Sequence, residues 1–296
     1  MREANSERDV LTAKSFAFED CTVAYYEGGP DDALPLLLMH GVGPGASVRG
    51  AFVSILPFLV RHFHVFAMDL VGFGGSSRKP HAPYFDFELW VRQAQALVGR
   101  MLGERIALFG HSLSGAIALR LAASTPRVAG VITTATVGTR YPFNPDLGQL
   151  WTYPASRAAL RESLKSLVFD VDAIPQPALD VRWSILSSGD YRSYFSQMFA
   201  TDRQALMDSW VIPGEALRSI AIPVTLVHGR DDRPCPAEET SLRLAAAMPR
   251  ANVVLLSRCG HAPAMEHPHK VIAAVELAFG DLVQFNRHAA GVVVTT

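Results

Sequence analysis

The chain has 296 residues, 49% hydrophobic and 19% charged, with a formal net charge of −1. That length and apolar content suit one large domain, or a core with an inserted subdomain, with a sizeable buried interior. The near-zero charge excludes a general attraction to nucleic acid or an anionic membrane surface, and no segment approaches the roughly 20 apolar residues of a bilayer span.

The first nine residues are polar and mixed in sign, with no apolar signal core, so a cytoplasmic location is expected. Residues 16–19 and 22–26 read as an opening hairpin, 35–40 as a buried strand, and 52–61 as an amphipathic helix. A strand follows over 63–69 and ends in the glycine-rich turn 71–76. A helix is expected over 89–101, and strands over 106–109 and 128–134. Strands over 224–228 and 252–256, separated by a helix over 237–247, finish the core. A closing helix runs to about residue 282, and 291–296 reads as a frayed tail. Apolar runs alternating with helical patterns predict an α/β fold, with a mainly parallel eight-stranded sheet flanked by helices.

The alternation breaks over 138–213. That stretch is rich in aromatics, among them Trp151, Tyr153, Trp183, Tyr194 and Trp210, carries several prolines, and has no convincing β-run. It is too long for an ordinary loop. The expected organisation is therefore a core of residues 1–137 and 214–296 with an inserted helical cap over 138–213. Cys21, Cys235 and Cys259 are widely spaced and odd in number. They suit neither a disulfide framework nor a metal knuckle, and read as free thiols in a reducing compartment.

Gly110-His111-Ser112-Leu113-Ser114-Gly115 joins the apolar run 105–109 to the small-residue helical stretch 116–123. Strand, sharp turn with a serine, then helix is the nucleophile elbow of a serine hydrolase. Small neighbours are needed because strand and helix approach closely there; Ser114 stands where the pattern usually has its second glycine. A serine hydroxyl is a poor nucleophile until a histidine takes its proton and an acid fixes that histidine's tautomer. In this architecture the chain order is serine, acid, histidine. Downstream, His228-Gly229-Arg230-Asp231-Asp232-Arg233 places two carboxylates just past a strand, and Arg258-Cys259-Gly260-His261 places a histidine past the next. Strand ends of this kind share one rim of an α/β sheet. His261 is the candidate base. His228 lies within a strand end and reads as structural, and His267 and His269 read as solvated. Asp231 and Asp232 point differently, so only one can meet the imidazole; the other is expected to pair with Arg230 or Arg233. The loop His40-Gly41-Val42-Gly43-Pro44-Gly45 follows the third strand. Such a loop supplies one oxyanion donor and the residue after the nucleophile another, here Val42 and Leu113.

These segments, together with Asp69-Leu70-Val71-Gly72-Phe73-Gly74, resemble the α/β-hydrolases of the meta-cleavage product hydrolase group. The resemblance runs from about residue 16 to 282. It implies hydrolysis of a carbon–carbon bond in 2-hydroxy-6-oxo-hexa-2,4-dienoates or 2-hydroxymuconate semialdehyde during bacterial breakdown of aromatics. An ester or lactone hydrolase with the same triad is the alternative. The triad carries over as Ser112, Asp232 and His261, with no metal or organic cofactor and commonly a homo-oligomer. The partner is a small acidic molecule. Arg182 falls where the family grips the dienoate carboxylate; the alternative is a surface arginine in an ion pair. Gly41, Gly43, His111, Trp183 and Ala262 are the other candidate substrate-binding residues. Three positions depart from the family. His111 and Ala51 stand where asparagine is frequent, and Ala262 where tryptophan is. His111 could contact the substrate enol or pack beneath the elbow.

Overall fold

The computed structural model describes residues 11–174 and 176–285, without the side chains of 173 and 177. The polar start and the expected tail at 291–296 lie outside the described residues. β1 (Thr12–Phe18) and β2 (Cys21–Gly28) form the opening hairpin, followed by β3 (Pro35–Met39). Next come α1 (Val48–Phe52), α2 (Leu56–His62) and β4 (His64–Met68). The single helix expected over 52–61 is thus two. Pro57 has no N–H to give and disfavours helical backbone just before it, so it sits in the first turn of α2 and the chain restarts there. Then follow α3 (Phe87–Val98), β5 (Ile106–His111), α4 (Leu113–Ser124) and β6 (Val128–Thr134).

Between β6 and β7 run α5 (Pro145–Leu150), α6 (Arg157–Leu164), a 3-10 turn (Val171–Ala173), α7 (Gln176–Leu186), α8 (Tyr191–Met198), α9 (Arg203–Ser209) and α10 (Gly214–Ser219). The chain ends with β7 (Val224–Gly229), α11 (Ser241–Ala247), β8 (Ala251–Leu256), α12 (Pro263–Glu266) and α13 (Pro268–Phe279). Helix α10 packs on α4 and α11, whereas α6, α7 and α8 pack in succession on one another.

The eight strands form one sheet in the order β1-β2-β4-β3-β5-β6-β7-β8. Only β1–β2 and β2–β4 are antiparallel. Strands β3, β5 and β7 are mostly apolar, with His111, Thr225 and His228 the polar exceptions, and buried over nearly all their length, as expected where helices cover both faces. Alternate residues serve opposite faces. Leu37, Met39, Leu108 and Val131 meet α3, α4 and the aromatics of the inserted helices. Leu36, Leu38, Phe109 and Ile132 meet Phe52, Leu59 and Phe279 from α1, α2 and α13. β8 closes the sheet as an edge strand, with Leu255 exposed.

Parallel register decides where the chemistry lies. Met39 pairs with Gly110, His111 with Thr134, Thr134 with Val227, and Gly229 with Leu256. Each strand therefore delivers its following loop to the same rim.

Candidate active site

Ser112 occupies the turn between β5 and α4 with φ 56° and ψ −122°. A non-glycine residue in that region costs on the order of 1–3 kcal/mol, and neighbouring contacts hold it there. Its N–H donates to Thr134 O at 2.9 Å, and its carbonyl accepts from Gly115 N and Val137 N. A side chain at Gly110 would collide with the Ser114 carbonyl, so the strand can carry only glycine there. Ser114 is tolerated in its unusual place because its hydroxyl donates to His40 O at 2.5 Å. This bond ties the elbow to the loop after β3.

His261 and Asp232 reach this serine from the ends of β8 and β7. His261 Nε2 lies 2.8 Å from Ser112 Oγ, and Nδ1 lies 2.7 Å from Asp232 Oδ2. A ring nitrogen facing a carboxylate carries the proton, so Nε2 presents its lone pair to the hydroxyl. Asp232 also accepts from Cys235 N at 2.9 Å and from His228 Nε2 at 2.9 Å. Burial works against ionising Asp232, but His261 and His228 outweigh it and hold the carboxyl far below its usual range. Burial likewise opposes charge on His261, yet the Asp232 carboxylate, with Cys235 nearby, raises its pKa well above 6.5. Such a chain of groups can take the proton of a serine hydroxyl and return it to a leaving group.

The N–H groups of Val42 and Leu113 have no partner among the described residues, and both residues line the cavity above Ser112. Gly41 lets the loop come close: a Cβ there would stand 2.6 Å from Ser112 Cβ. Gly43 lines the same cavity. The rest of the wall comes from the inserted helices, including Leu147, Trp151, Leu164 and Trp210.

Arg182 reaches the cavity from α7. Its guanidinium donates to Pro44 O at 2.9 Å, and no carboxylate pairs with it among the described residues. Burial lowers its pKa to about 10, which leaves it cationic at neutral pH. An ordered cation facing a cavity without a counter-ion is a site for an anion.

The family follows from sequence and backbone together. Residues 36–275 match the model of the "Alpha/beta hydrolase family". The chain belongs to the alpha/beta hydrolase family. Within this family it stands with the meta-cleavage product hydrolases. It is 30% identical over 228 residues to a 2-hydroxy-6-oxo-2,4-heptadienoate hydrolase of Pseudomonas putida, covering 77% of this chain and 82% of that one. It is 30% identical over 242 residues to a 2-hydroxymuconate semialdehyde hydrolase of Pseudomonas sp. strain CF600, covering 81% and 85%. A solved 2-hydroxy-6-oxo-6-phenylhexa-2,4-dienoate hydrolase from Rhodococcus sp. strain RHA1 superposes with a TM-score of 0.83 at 28% identity, covering 91% of this chain and 99% of that one.

Two expectations need correction in this alpha/beta hydrolase. Trp183 is not part of the cavity wall; the Arg157 guanidinium lies 5.9 Å from its ring centroid. Successive helical residues point about 100° apart, so α7 cannot turn both Arg182 and Trp183 to the same space. Asp231 makes no ion pair with Arg230 or Arg233. Its carboxylate accepts from Cys259 N at 3.2 Å, while Arg233 pairs with Asp146.

His111 packs beneath the elbow. Nδ1 faces Thr134 O at 3.2 Å and Thr134 Oγ1 at 3.1 Å beneath the elbow, and the residue also lines the cavity. Burial, then the charge of nearby His261, lowers its pKa to about 3, so the ring is neutral. Ala51 and Ala262 line the cavity and offer it no polar atom. Sequence reasoning missed Glu266, whose carboxylate accepts from Gly260 N, Ala262 N and Phe169 N at 2.9, 3.3 and 2.7 Å. Its place five residues after His261, just before the closing helix, was the available signal.

Proposed function

We propose that this chain hydrolyses a carbon–carbon bond in a 2-hydroxy-6-oxo-dienoate, with Ser112 as nucleophile, His261 as acid–base and Asp232 as the acid that orients it. The observation that carries the reading is Arg182: a cation without a carboxylate partner in the cavity that also contains Ser112 and His261. A plain ester pocket has no need of an unpaired cation, whereas a dienoate brings its own carboxylate.

The reaction begins with ketonisation of the dienol, which makes a carbon leaving group possible. Ser112 Oγ then attacks the 6-carbonyl as His261 takes its proton, and the Val42 and Leu113 N–H groups hold the oxyanion. Collapse breaks the C5–C6 bond, its electron pair passes along the conjugated chain to the 2-oxygen, and that oxygen takes the proton from His261 as 2-hydroxypenta-2,4-dienoate leaves. Water, deprotonated by His261, hydrolyses the acyl-enzyme to a carboxylic acid. Residues 138–213 act as a cap over a core of 1–137 and 214–296, supplying Arg182 and the apolar wall. A homo-oligomer in the cytoplasm belongs to the same proposal; light scattering tests the assembly, and the free cysteines of the described residues support the compartment.

The test mixes the purified protein with a yellow ring-fission product and, separately, with p-nitrophenyl acetate. Bleaching of the first at far higher kcat/KM is expected. Arg182→Ala should then raise KM for the dienoate roughly 10–100-fold, the usual scale for losing a charged hydrogen bond, while ester turnover changes little. Hydrolysis of the ester alone, for which Ala51 and Ala262 prepare the case, overturns the carbon–carbon reading. Equal losses on both substrates overturn the role of Arg182.

A further inference from the structure

His228 is fully buried, and the proton chain above does not use it. Its surroundings are nevertheless specific. Nε2 lies 2.9 Å from Asp232 Oδ2 and 2.8 Å from Cys235 O. Both are acceptors, so Nε2 carries the proton. Nδ1 lies 2.6 Å from Ser241 Oγ at the start of α11 and accepts that hydroxyl's proton. One tautomer satisfies all three contacts. The oxygen that His228 touches is the one that His261 touches from the other side.

We propose that His228 is a positioning residue of the hydrolytic centre, its Nε2–H fixing Asp232 Oδ2 against His261 and sharing that oxygen's negative charge. The inference rests on the triad reading of Ser112, His261 and Asp232. His228 touches no substrate. It acts on the base through the carboxylate.

The consequence has a definite sign. A donor on Oδ2 weakens that oxygen's pull on the His261 proton. Removing the donor leaves the full charge to His261, stabilises its protonated form, and moves the acid limb of kcat/KM to higher pH. Other ionisable groups face this chain as well. His111 lies 5.2 Å from His261 between ring centroids, and Cys235 stands beside it with Tyr141 on its thiol. Asp231, Cys259 and Glu266 hold the His261 loop, and Arg182 shares the cavity. Apart from Cys235, whose carbonyl accepts from His228 Nε2, none of them is hydrogen-bonded to residue 228.

Two substitutions separate the proposal from a merely structural role. His228→Gln puts an amide N–H where Nε2 was, keeping the bonds to Asp232 and Cys235 O. His228→Asn reaches only the Nδ1 position, keeping Ser241 and losing Asp232. The probe is p-nitrophenyl acetate, followed across pH at the isosbestic wavelength of p-nitrophenol, with active sites counted by a fluorophosphonate. The Gln variant should share the wild-type acid limb. The Asn limb should move up by roughly half to one pH unit, with kcat falling and KM little changed. Ser241→Ala, which frees the ring to turn, should move the limb the same way by less, and it decides the matter if the Asn variant does not fold. Limbs that coincide with wild type in the variants that fold, or that move down, overturn the proposal. Failure of the fluorophosphonate to label wild-type Ser112 instead overturns the triad reading beneath it.

Discussion

In the proposed mechanism a single imidazole sets the pH at which the centre works. His261 must be neutral to accept the Ser112 proton, and the Asp232 carboxylate 2.7 Å from Nδ1 favours its charged form over the desolvation that opposes it. The sign follows directly. With the pKa raised well above 6.5, the base is spent as pH falls through that raised value. Log kcat/KM should therefore climb with unit slope to a plateau whose acid limb lies above the ordinary histidine range. His111 cannot supply that limb, because its pKa is lowered to about 3. Asp232→Asn, which removes the raising charge, should drop the limb while cutting kcat about 10⁴-fold. A wild-type limb at or below 6.5 would show that Asp232 does not act on His261 as its position demands. Residue by residue, Ser112 and His261 were legible as candidates because each lies in the loop that follows a strand at the same rim, Ser112 directly after β5 and His261 five residues after β8. The choice between Asp231 and Asp232 was not. It turns on which carboxylate meets the imidazole and which the Cys259 N–H, and neighbours in sequence look alike on paper.

At the scale of elements, strands were easier to read than helices. β3, β5, β6 and β7 are short, mostly apolar runs, and burial on both faces leaves little polar alternation to confuse them. Helix ends depended on proline: α2 restarts at Pro57, and α11 begins at Ser241 rather than 237 because the chain from Pro236 first turns. One loop carries a sharp prediction. The segment after β3 approaches the elbow so closely that a Cβ on Gly41 would lie 2.6 Å from Ser112 Cβ and 3.2 Å from Ser112 Oγ. Gly41→Ala must push the Val42 N–H and the hydroxyl apart. Misplacement of about 1 Å costs on the order of 10²-fold in rate, so phosphonylation of Ser112 and kcat should both fall by about that factor. At Gly43 a Cβ would meet nothing within 4 Å, and Gly43→Ala should cost far less. Equal effects at the two glycines would mean that crowding of the nucleophile is not what selects glycine at 41.

Over the whole molecule, the helices between β6 and β7 and the histidine loop are joined by backbone hydrogen bonds, an attachment that no side-chain pattern in the sequence announces. His261 N donates to Leu167 O at 2.6 Å, and Glu266 receives Phe169 N from the insertion together with Gly260 N and Ala262 N from the loop. One carboxylate thus fastens the segment after α6 to the residues on either side of His261. Glu266→Ala leaves three donors without this acceptor. Hydrogen bonds to a charged group contribute roughly 1.5–3 kcal/mol each, less where water can replace the lost oxygen. Because Glu266 is half-buried, a net loss of about 2 kcal/mol is the reasonable scale. For a chain of this size that lowers Tm by roughly 3 °C. The more telling readout is kinetic. If Glu266 serves only stability, kcat per active site at a temperature well below Tm stays at the wild-type value. If it holds the base against the insertion, kcat falls about tenfold or more under those conditions, and Glu266→Gln, which keeps one accepting oxygen, recovers part of it. Full activity per titrated site in Glu266→Ala would show that the insertion and the base are independent.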